Sequence, residues 1–568
     1  MSSHGNPFAS GLTPVTCGMR VAWLLVSLLT ASCAAKAVTL VMSGDEHSLR
    51  ARPATARQSS HDSRPLMLLA LDGVSRSLLY EMIRRHELPN FSALIGNDAY
   101  FDDSLLSTLP STTMPAWVTT MTGVGPAEHG VTGNEFFVRE TETFACPAPV
   151  SFNDLNPTLA IYTDRYLDKL VEVPTVYERM RAKDPDVLIW VSMNHLFRGA
   201  DKLLLANHSL IAKAMLGLID IPKSKAKMSR KVFAQLDTAA INAVVDHLNA
   251  AAALPDVMTV YLSGTDLYAH VAEEGPDVAR RAYLREIVDP ALGTLVTTLR
   301  ARGMLDRMWT MIVADHGHTA VPHDAPHALG AGDGPATVLR NAGFKVRPFQ
   351  QNVDAKNPFN AVLAYGGAMA YVYVADRTLC GGANEACSWK LPPRYEEDVL
   401  AVADAFYRNN LDGSFAPEMK GALDMVLTRK PKPYAEVDLP FEVYVGEGKT
   451  VPIEDYLHDH PHPSYIALAE RMRALAVGTH GERAGDILLI AHNGDRGRRD
   501  DRFYFAQEYR SWHGSPSRDD SEIPLIVANH RRSREQIRVW VKHILGDDPY
   551  QQKVTDLMLG LHAGALGP

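Results

Sequence analysis

Three short, continuously apolar runs, each leading into an aspartate, constrain the fold of this chain more than any other feature. Leu66–Leu71 (LMLLAL) runs directly into Asp72, Trp309–Ala314 (WTMIVA) directly into Asp315, and Val257–Leu262 (VMTVYL) through SGT into Asp266. A run of this length without polar alternation is the pattern of a strand covered on both faces. Residues 187–194 (VLIWVSMN), 487–491 (ILLIA) and 523–528 (IPLIVA) have the same character. Amphipathic helical patterns fall between them, over 75–86, 167–181, 229–252 and 278–303. Alternating buried strands and helices predict an α/β fold, a mostly parallel sheet flanked by helices on both faces. Ligand sites of such sheets gather outside the carboxyl ends of the strands, where the three aspartates fall.

The 568 residues carry a net charge of −9, which offers no electrostatic footprint for nucleic acid. Before the first strand, Arg20 precedes the apolar run 21–31 (VAWLLVSLLTA) and small residues through Ala37, the three-part pattern of an export signal. The run is too short for a comfortable membrane span. The expectation is a signal peptide or lipoprotein signal over 1–37, with Met19 as an alternative start and Cys33 in LLTASC as a candidate lipid-anchor site. A flexible linker is expected over 38–65. The protein is accordingly expected to be exported, as a periplasmic protein, a cell-envelope lipoprotein or a secreted one. The catalytic fold is expected over 66–568. Within it the looser stretch 343–485, where 364–375 and 441–445 look like strands, is expected as an insertion or cap.

Cys380 and Cys387 (CGGANEAC) are close enough for a small disulfide loop in an oxidising compartment, which leaves Cys146 outside it; three thiols are the alternative. His458, His460 and His462 are interrupted by Pro461 and followed by Pro463. Prolines break helical spacing, so a solvated loop is favoured there over a metal site.

The stretch 108–137 (TLPSTTMPAWVTTMTGVGPAEHGVTGNEFF) places the hydroxyl run Ser111-Thr112-Thr113 before Pro115 and a helical-looking AWVTTM. Proline is favoured at the first helical position. A hydroxyl at a helix N-terminus sits where free N–H groups and the dipole favour an anion such as phosphate. Thr113 is therefore a candidate nucleophile, with an ordinary N-cap as the plainer reading. Asp266 and His270 stand four apart in DLYAH, on one side of a helical turn, Asp315 and His316 are adjacent at a strand end, and His513 lies in the loop before the last strand. Three carboxylates and three imidazoles suit borderline divalent ions such as zinc, and suffice for two sites if a hydroxyl oxygen completes one. Two dications against three carboxylates leave about one positive charge, which attracts phosphate and lowers the pKa of a bound hydroxyl, here that of Thr113.

The stretches LALDG at Asp72, TTMPAWVTTMTGVGPAEHGVTGN around Thr113 and Asn134, GTDLYAH at Asp266 and His270, VADHG at Asp315 and His316, and WHGS at His513 resemble the alkaline phosphatase superfamily. Within it they look like the type I phosphodiesterase/nucleotide pyrophosphatase branch. The resemblance spans residues 66–530 and implies an alkaline-phosphatase-like fold. It also implies one zinc ion on Asp266, His270 and His513 and a second on Asp72, Thr113, Asp315 and His316. Thr113 would attack phosphorus to give a phospho-threonine that water hydrolyses. Asn134 would hydrogen-bond a non-bridging phosphate oxygen, alongside the N–H of Thr113 or Met114. Met114 and Pro115-Ala116 stand where nucleotide-cleaving members usually carry Phe directly after the nucleophile and Asn two residues later, so the aromatic partner for a nucleobase is missing there. Trp117 is expected in the core. His318 stands in place of the Met usual after Asp-His-Gly, and is expected to support the site or the fold from outside the ligand set.

The implied activity is metal-dependent hydrolysis of phosphodiester or pyrophosphate bonds in a small phosphorylated substrate, be it a phosphodiester, a nucleotide or a lipid headgroup. One alternative is a phosphomonoesterase on the same scaffold, for which the sequence identifies no clamping arginine. Another is a non-catalytic envelope protein that keeps the fold to bind glycan or lipid headgroups. The sulfatase signature Cys/Ser-x-Pro-x-Arg is absent: Thr113-Met114-Pro115-Ala116-Trp117 stands at that place.

Overall fold

The computed structural model describes residues 46–49, 65–151, 156–206, 230–349, 358–380, 387–431, 440–494, 498–546 and 549–564. The expected export signal, with Cys17 and Cys33, lies outside the described residues, as does most of the expected linker.

Leu66–Leu71 lies near the middle of an eight-stranded sheet. It pairs in parallel with Val257–Leu262 on one side and Trp309–Ala314 on the other. Ile189–Ser192 and Lys202–Leu204 continue the parallel set beyond Val257–Leu262. Leu525–Ala528 joins Trp309–Ala314 antiparallel and carries Tyr100–Asp102 at the far edge. Every residue of the three central strands is buried, as their unbroken apolar runs require. Their ends are level, Leu71 facing both Leu262 and Ala314, so the segments that follow open on one edge of the sheet.

The other edge differs from expectation. Glu46–Ser48, inside the expected linker, pairs antiparallel with Lys202–Leu204. Main-chain hydrogen bonds hold this segment, including Leu49 N–H to Asp201 O at 2.9 Å, and they need no apolar period that a sequence could display.

Two of the expected helices form nearly as read, Arg76–Arg84 and Arg230–Ala250. The one over 167–181 divides into Tyr166–Leu170 and Val176–Lys183, the second opened by a capping box between Thr175 and Glu178 just after Pro174. The one over 278–303 runs as Pro276–Tyr283, a π-turn at Leu284–Val288 and Asp289–Ala301. The turn adjoins Pro290, which has no N–H to continue the α pattern. Among the described residues no helix is long and apolar enough to cross a membrane.

The loose stretch after 343 contains a second, wholly antiparallel sheet, in the order Ala361–Tyr365, Met369–Val374, Ile487–Ala491, Leu423–Thr428, Glu442–Gly446, Lys449–Pro452. The run at 364–375, read as one strand, is a hairpin arm turned at Gly366 and Gly367. Ile487–Ala491, read as part of the parallel series, belongs here, past the expected boundary of the insertion at 485. The cause is burial on both faces: Leu363, Val372 and Leu489 enter one apolar cluster while their neighbours Val362, Tyr371 and Leu488 enter another. A doubly covered antiparallel strand is as uniformly apolar as a parallel one. Cys380 and Cys387 form the small disulfide loop, and Cys146 is buried. His462 turns to Asp424, with Nε2 3.2 Å from Oδ2, and stacks on Tyr465.

The hairpin turn is pressed onto the segment that carries His513. Gly367 has φ +75°, and a Cβ there would lie 1.6 Å from Trp512 Nε1 and 2.2 Å from His513 O. Gly367→Ala is expected to cost about 3 kcal/mol or more, because it adds both left-handed strain and a backbone clash. Equilibrium urea unfolding checks this; an unchanged midpoint would show that the two segments do not meet as described.

Candidate active site

Level strand ends and one short helix assemble the site. Asp72 follows the first strand with its N–H on Leu262 O, and Asp315 follows its neighbour. The third aspartate is set back by one turn: Gly264–Ala269 is helical, which brings Asp266 to the same edge and stacks His270 above it. Gly73 makes this convergence possible. At φ +68°, a Cβ on it would stand 2.9 Å from Asp266 Cα and from His318 Cδ2. Its N–H donates to Asp315 Oδ1 at 3.1 Å.

Two groups result, and they share a border. In the first, His316 Nε2 lies 3.4 Å from Asp72 Oδ1, 3.4 Å from Asp315 Oδ2 and 3.3 Å from Thr113 Oγ1. In the second, Asp266 places Oδ2 3.4 Å from His270 Nε2 and Oδ1 3.6 Å from His513 Nε2. The His316 and His513 rings stack at 3.6 Å, joining the groups. The Nδ1 atoms of His270, His316 and His513 lie 2.8, 2.8 and 3.1 Å from the carbonyls of Ser511, Gly317 and Ser111. A ring that donates its Nδ1–H to a carbonyl presents a lone pair at Nε2, the arrangement of a ligating histidine.

Electrostatics and hydrogen bonding bear on what such a site can hold. Asp72 Oδ1 and Asp315 Oδ2 are buried with no hydrogen-bond partner. Burial, and then the charges of Asp315 and Asp266, push the Asp72 carboxyl well above the usual carboxylate range; burial also raises Asp315. Burial would raise Asp266 too, but the imidazoles of His270 and His318 hold it well below that range. Burial and the neighbouring His316 push the His513 imidazole well down. Buried carboxylate oxygens without donors, facing imidazoles whose Nδ1 atoms turn to carbonyls, fit a divalent cation. Within the site, ligand atoms cluster within 4.8 Å of one another in two sets, Asp72, Asp315 and His316 in one and Asp266, His316, His318 and His513 in the other.

All seven expected metal-site residues lie at one edge of the sheet, and the start of the helix differs from the reading. His318, expected to support the site from outside the ligand set, has its Nε2 2.6 Å from Asp266 Oδ1, closer than His270 comes to that carboxylate. Burial is the main cause that pulls its pKa to about 3. The helix begins at Thr113, before the expected Pro115, with Thr112 as its N-cap, so Thr113 Oγ is not spent on capping and faces His316. Pro115 at the third helical position gives up an N–H that the first turn would leave unbonded anyway. Asn134 lies beside this turn, its Oδ1 accepting the Met114 N–H at 3.0 Å. That bond occupies one of the two expected phosphate donors, and what Asn134 can offer a ligand is its NH2 group. Trp117 is in the core, edge-on to Tyr261.

Two further residues went unread. The Tyr261 hydroxyl donates to Asp72 Oδ2, which turns Oδ1 toward His316; inside an apolar strand run nothing marked it. Glu135 is fully buried and accepts from Val150 N–H, Ser151 N–H, Ser151 Oγ–H and Tyr365 N–H, which ties the segment next to Asn134 to the second sheet. Glu135→Ala is expected to destabilise by about 3 kcal/mol, since it strands several buried donors. Thermal unfolding checks this, and a loss under about 1 kcal/mol would show that water replaces the carboxylate.

Residues 66–386, more than half of the chain, match the family model described as type I phosphodiesterase / nucleotide pyrophosphatase. The fold and the strand-end site define a protein of the alkaline phosphatase superfamily. Within it, the chain belongs to the type I phosphodiesterase / nucleotide pyrophosphatase family, whose members hydrolyse phosphodiester bonds. The matched region includes every site residue named above except His513. A comparison with curated proteins finds no match.

Proposed function

We propose that the protein is an exported phosphodiesterase or pyrophosphatase that works through a covalent intermediate on Thr113 and uses two divalent ions, zinc by preference of the donor set. The observation that carries this reading is the convergence of two buried, donorless carboxylate oxygens, Asp72 Oδ1 and Asp315 Oδ2, on His316 Nε2, with Thr113 Oγ1 3.3 Å from the same nitrogen. Asp72, Thr113, Asp315 and His316 would hold one ion and Asp266, His270 and His513 the other, with His318 hydrogen-bonded to Asp266 or joining it as a ligand. When bound, the ions would lower the pKa of the Thr113 hydroxyl and offset charge on the phosphoryl group.

The chain's own groups account for the rest. Thr113 Oγ loses its proton to solvent and bonds to phosphorus as the bond from phosphorus to the leaving oxygen breaks; that oxygen takes up a proton. The Asn134 NH2 group donates to a non-bridging oxygen, and the N-terminus of the Thr113–Thr122 helix favours the negative charge. Water then adds to phosphorus and the bond to Thr113 breaks, giving a monoester, an alcohol and free Thr113. With Met114 buried where nucleotide-cleaving members place an aromatic, recognition of a nucleobase by stacking there is not part of this reading. A small diester, such as a lipid headgroup, suits the site as well as a nucleotide.

The test is hydrolysis of bis-p-nitrophenyl phosphate against p-nitrophenyl phosphate by zinc-supplied protein. A preference for the diester supports the reading. A preference for the monoester moves the protein to the phosphomonoesterase alternative. Bound zinc with no turnover of either would favour a binding protein that keeps the fold.

A further inference from the structure

Arg471 is a buried cation that the proposed chemistry does not use. It lies on the Leu468–Ala476 helix, packed against the second sheet, and is 2 % exposed. Burial pulls its pKa down to about 9, which leaves it charged at neutral pH. Its hydrogen-bond acceptors include no carboxylate. Nε donates to Ser107 O at 2.9 Å, Nη1 to Ile466 O at 3.2 Å and Pro516 O at 3.5 Å, and Nη2 to Thr108 O at 3.1 Å and Ser111 Oγ at 2.9 Å. Each of the five N–H donors of the guanidinium can therefore be matched to an acceptor.

The acceptors identify what is held. Ser107, Thr108 and Ser111 form the chain's approach to Thr113, and Pro516 follows His513. Ser111 links the two: its Oγ takes the Arg471 bond and its carbonyl lies 3.1 Å from His513 Nδ1. The Ser111 hydroxyl passes its own proton on to Thr108 O or Ser515 O, both at 3.2 Å. Burying a guanidinium is costly unless its donors are met, and here the approach to Thr113 and the segments around 466 and 516 meet them. Lysine cannot reproduce it, having three donors on a point charge instead of a planar five-donor fork.

We propose that Arg471 is a positioning residue for the reaction, a clamp from the second sheet's helix that fixes Thr113 and His513 relative to each other through Ser111. This rests on the proposed roles of Thr113 and His513. It makes the second sheet part of the working site and not only a cover. The clamp acts on geometry, so its loss should lower kcat far more than it changes KM.

The experiment compares wild type, Arg471→Lys and Arg471→Ala, each checked for folding by circular dichroism, in bis-p-nitrophenyl phosphate turnover and in zinc titration by calorimetry. Arg471→Lys is expected to lose about 30- to 100-fold in kcat, with KM within about threefold. Its zinc affinity at the weaker site is expected to fall about 10-fold or more. Arg471→Ala is expected to lose more, and guanidinium chloride at non-denaturing concentration is expected to restore at least about 10-fold of that loss, a recovery that a space-filling role would not show. Arg471→Lys retaining wild-type kcat and zinc affinity would overturn the proposal. So would an Arg471→Ala variant that folds, is impaired and gains nothing from guanidinium. If Arg471→Ala does not fold, Arg471→Lys decides. Should the wild type itself not turn over the diester, the functional reading fails separately, and zinc affinity in Arg471→Lys alone decides: weakened supports the clamp, unchanged overturns it.

Discussion

Thr113→Ala is expected to fold like the wild type and to lose at least about 10³-fold in kcat on a diester, because the variant removes the nucleophile itself and not a group that assists it. Three features of the structure support the expectation of an intact fold. Thr113 is the first residue of its helix and does not cap it; its hydroxyl hydrogen-bonds His316; and alanine is well tolerated in a first turn. The loss should therefore appear in kcat with little change in unfolding midpoint. Thr113→Ser keeps the hydroxyl and drops a methyl group, and is expected to retain measurable turnover. Steady-state kinetics on the three proteins checks both statements. A fully active alanine variant would mean that water attacks phosphorus directly.

The second large effect is expected from metal removal. Asp72, Asp266 and Asp315 are buried together, and no Lys or Arg forms an ion pair with any of them among the described residues. Such a cluster is costly to bury unless cations neutralise it. Dialysis against a chelator is expected to abolish diester hydrolysis and to lower the unfolding temperature, and zinc is expected to restore both. Saturation at about 100 times Kd contributes about 2.7 kcal/mol per site, so the thermal shift should be several degrees. Elemental analysis of the loaded protein should return two ions per chain. Asp315→Asn, which neutralises one carboxylate of the first group, is expected to reduce that count and the activity together. Protein shown by elemental analysis to be free of metal, yet with unchanged turnover, would refute metal dependence.

The central parallel sheet was legible because its strands are covered on both faces: Leu66–Leu71, Val257–Leu262 and Trp309–Ala314 form over the residues their apolar runs mark. The aspartates could be placed because a strand end fixes the position of the next residue. What the same signal could not do was tell one doubly covered sheet from another, hence the reassignment of Ile487–Ala491 to the antiparallel sheet. Glu46–Ser48 was invisible for the opposite reason, since its pairing rests on the main chain. In the site, motif residues gave the seven acidic, imidazole and hydroxyl groups, but not the orientation that others impose on them. Tyr261 acts on Asp72 from a sequence distance of 189, and Arg471 on Ser111 from 360. Such contacts leave no local pattern. His318 was in view beside Asp315-His316-Gly317, but that its ring turns to Asp266 depends on the Gly73 turn that brings the two strand ends together.

The stereochemical course at phosphorus tests the covalent intermediate on Thr113 most directly. Metal-loaded protein would hydrolyse a single diastereomer of a P-chiral phosphorothioate diester in isotopically labelled water, and the configuration of the product would be read by phosphorus NMR. Attack by Thr113 followed by attack of water inverts phosphorus twice, so net retention is expected. Net inversion would show a single displacement by water, and would contradict a covalent intermediate on Thr113 even if every other residue keeps its assigned place.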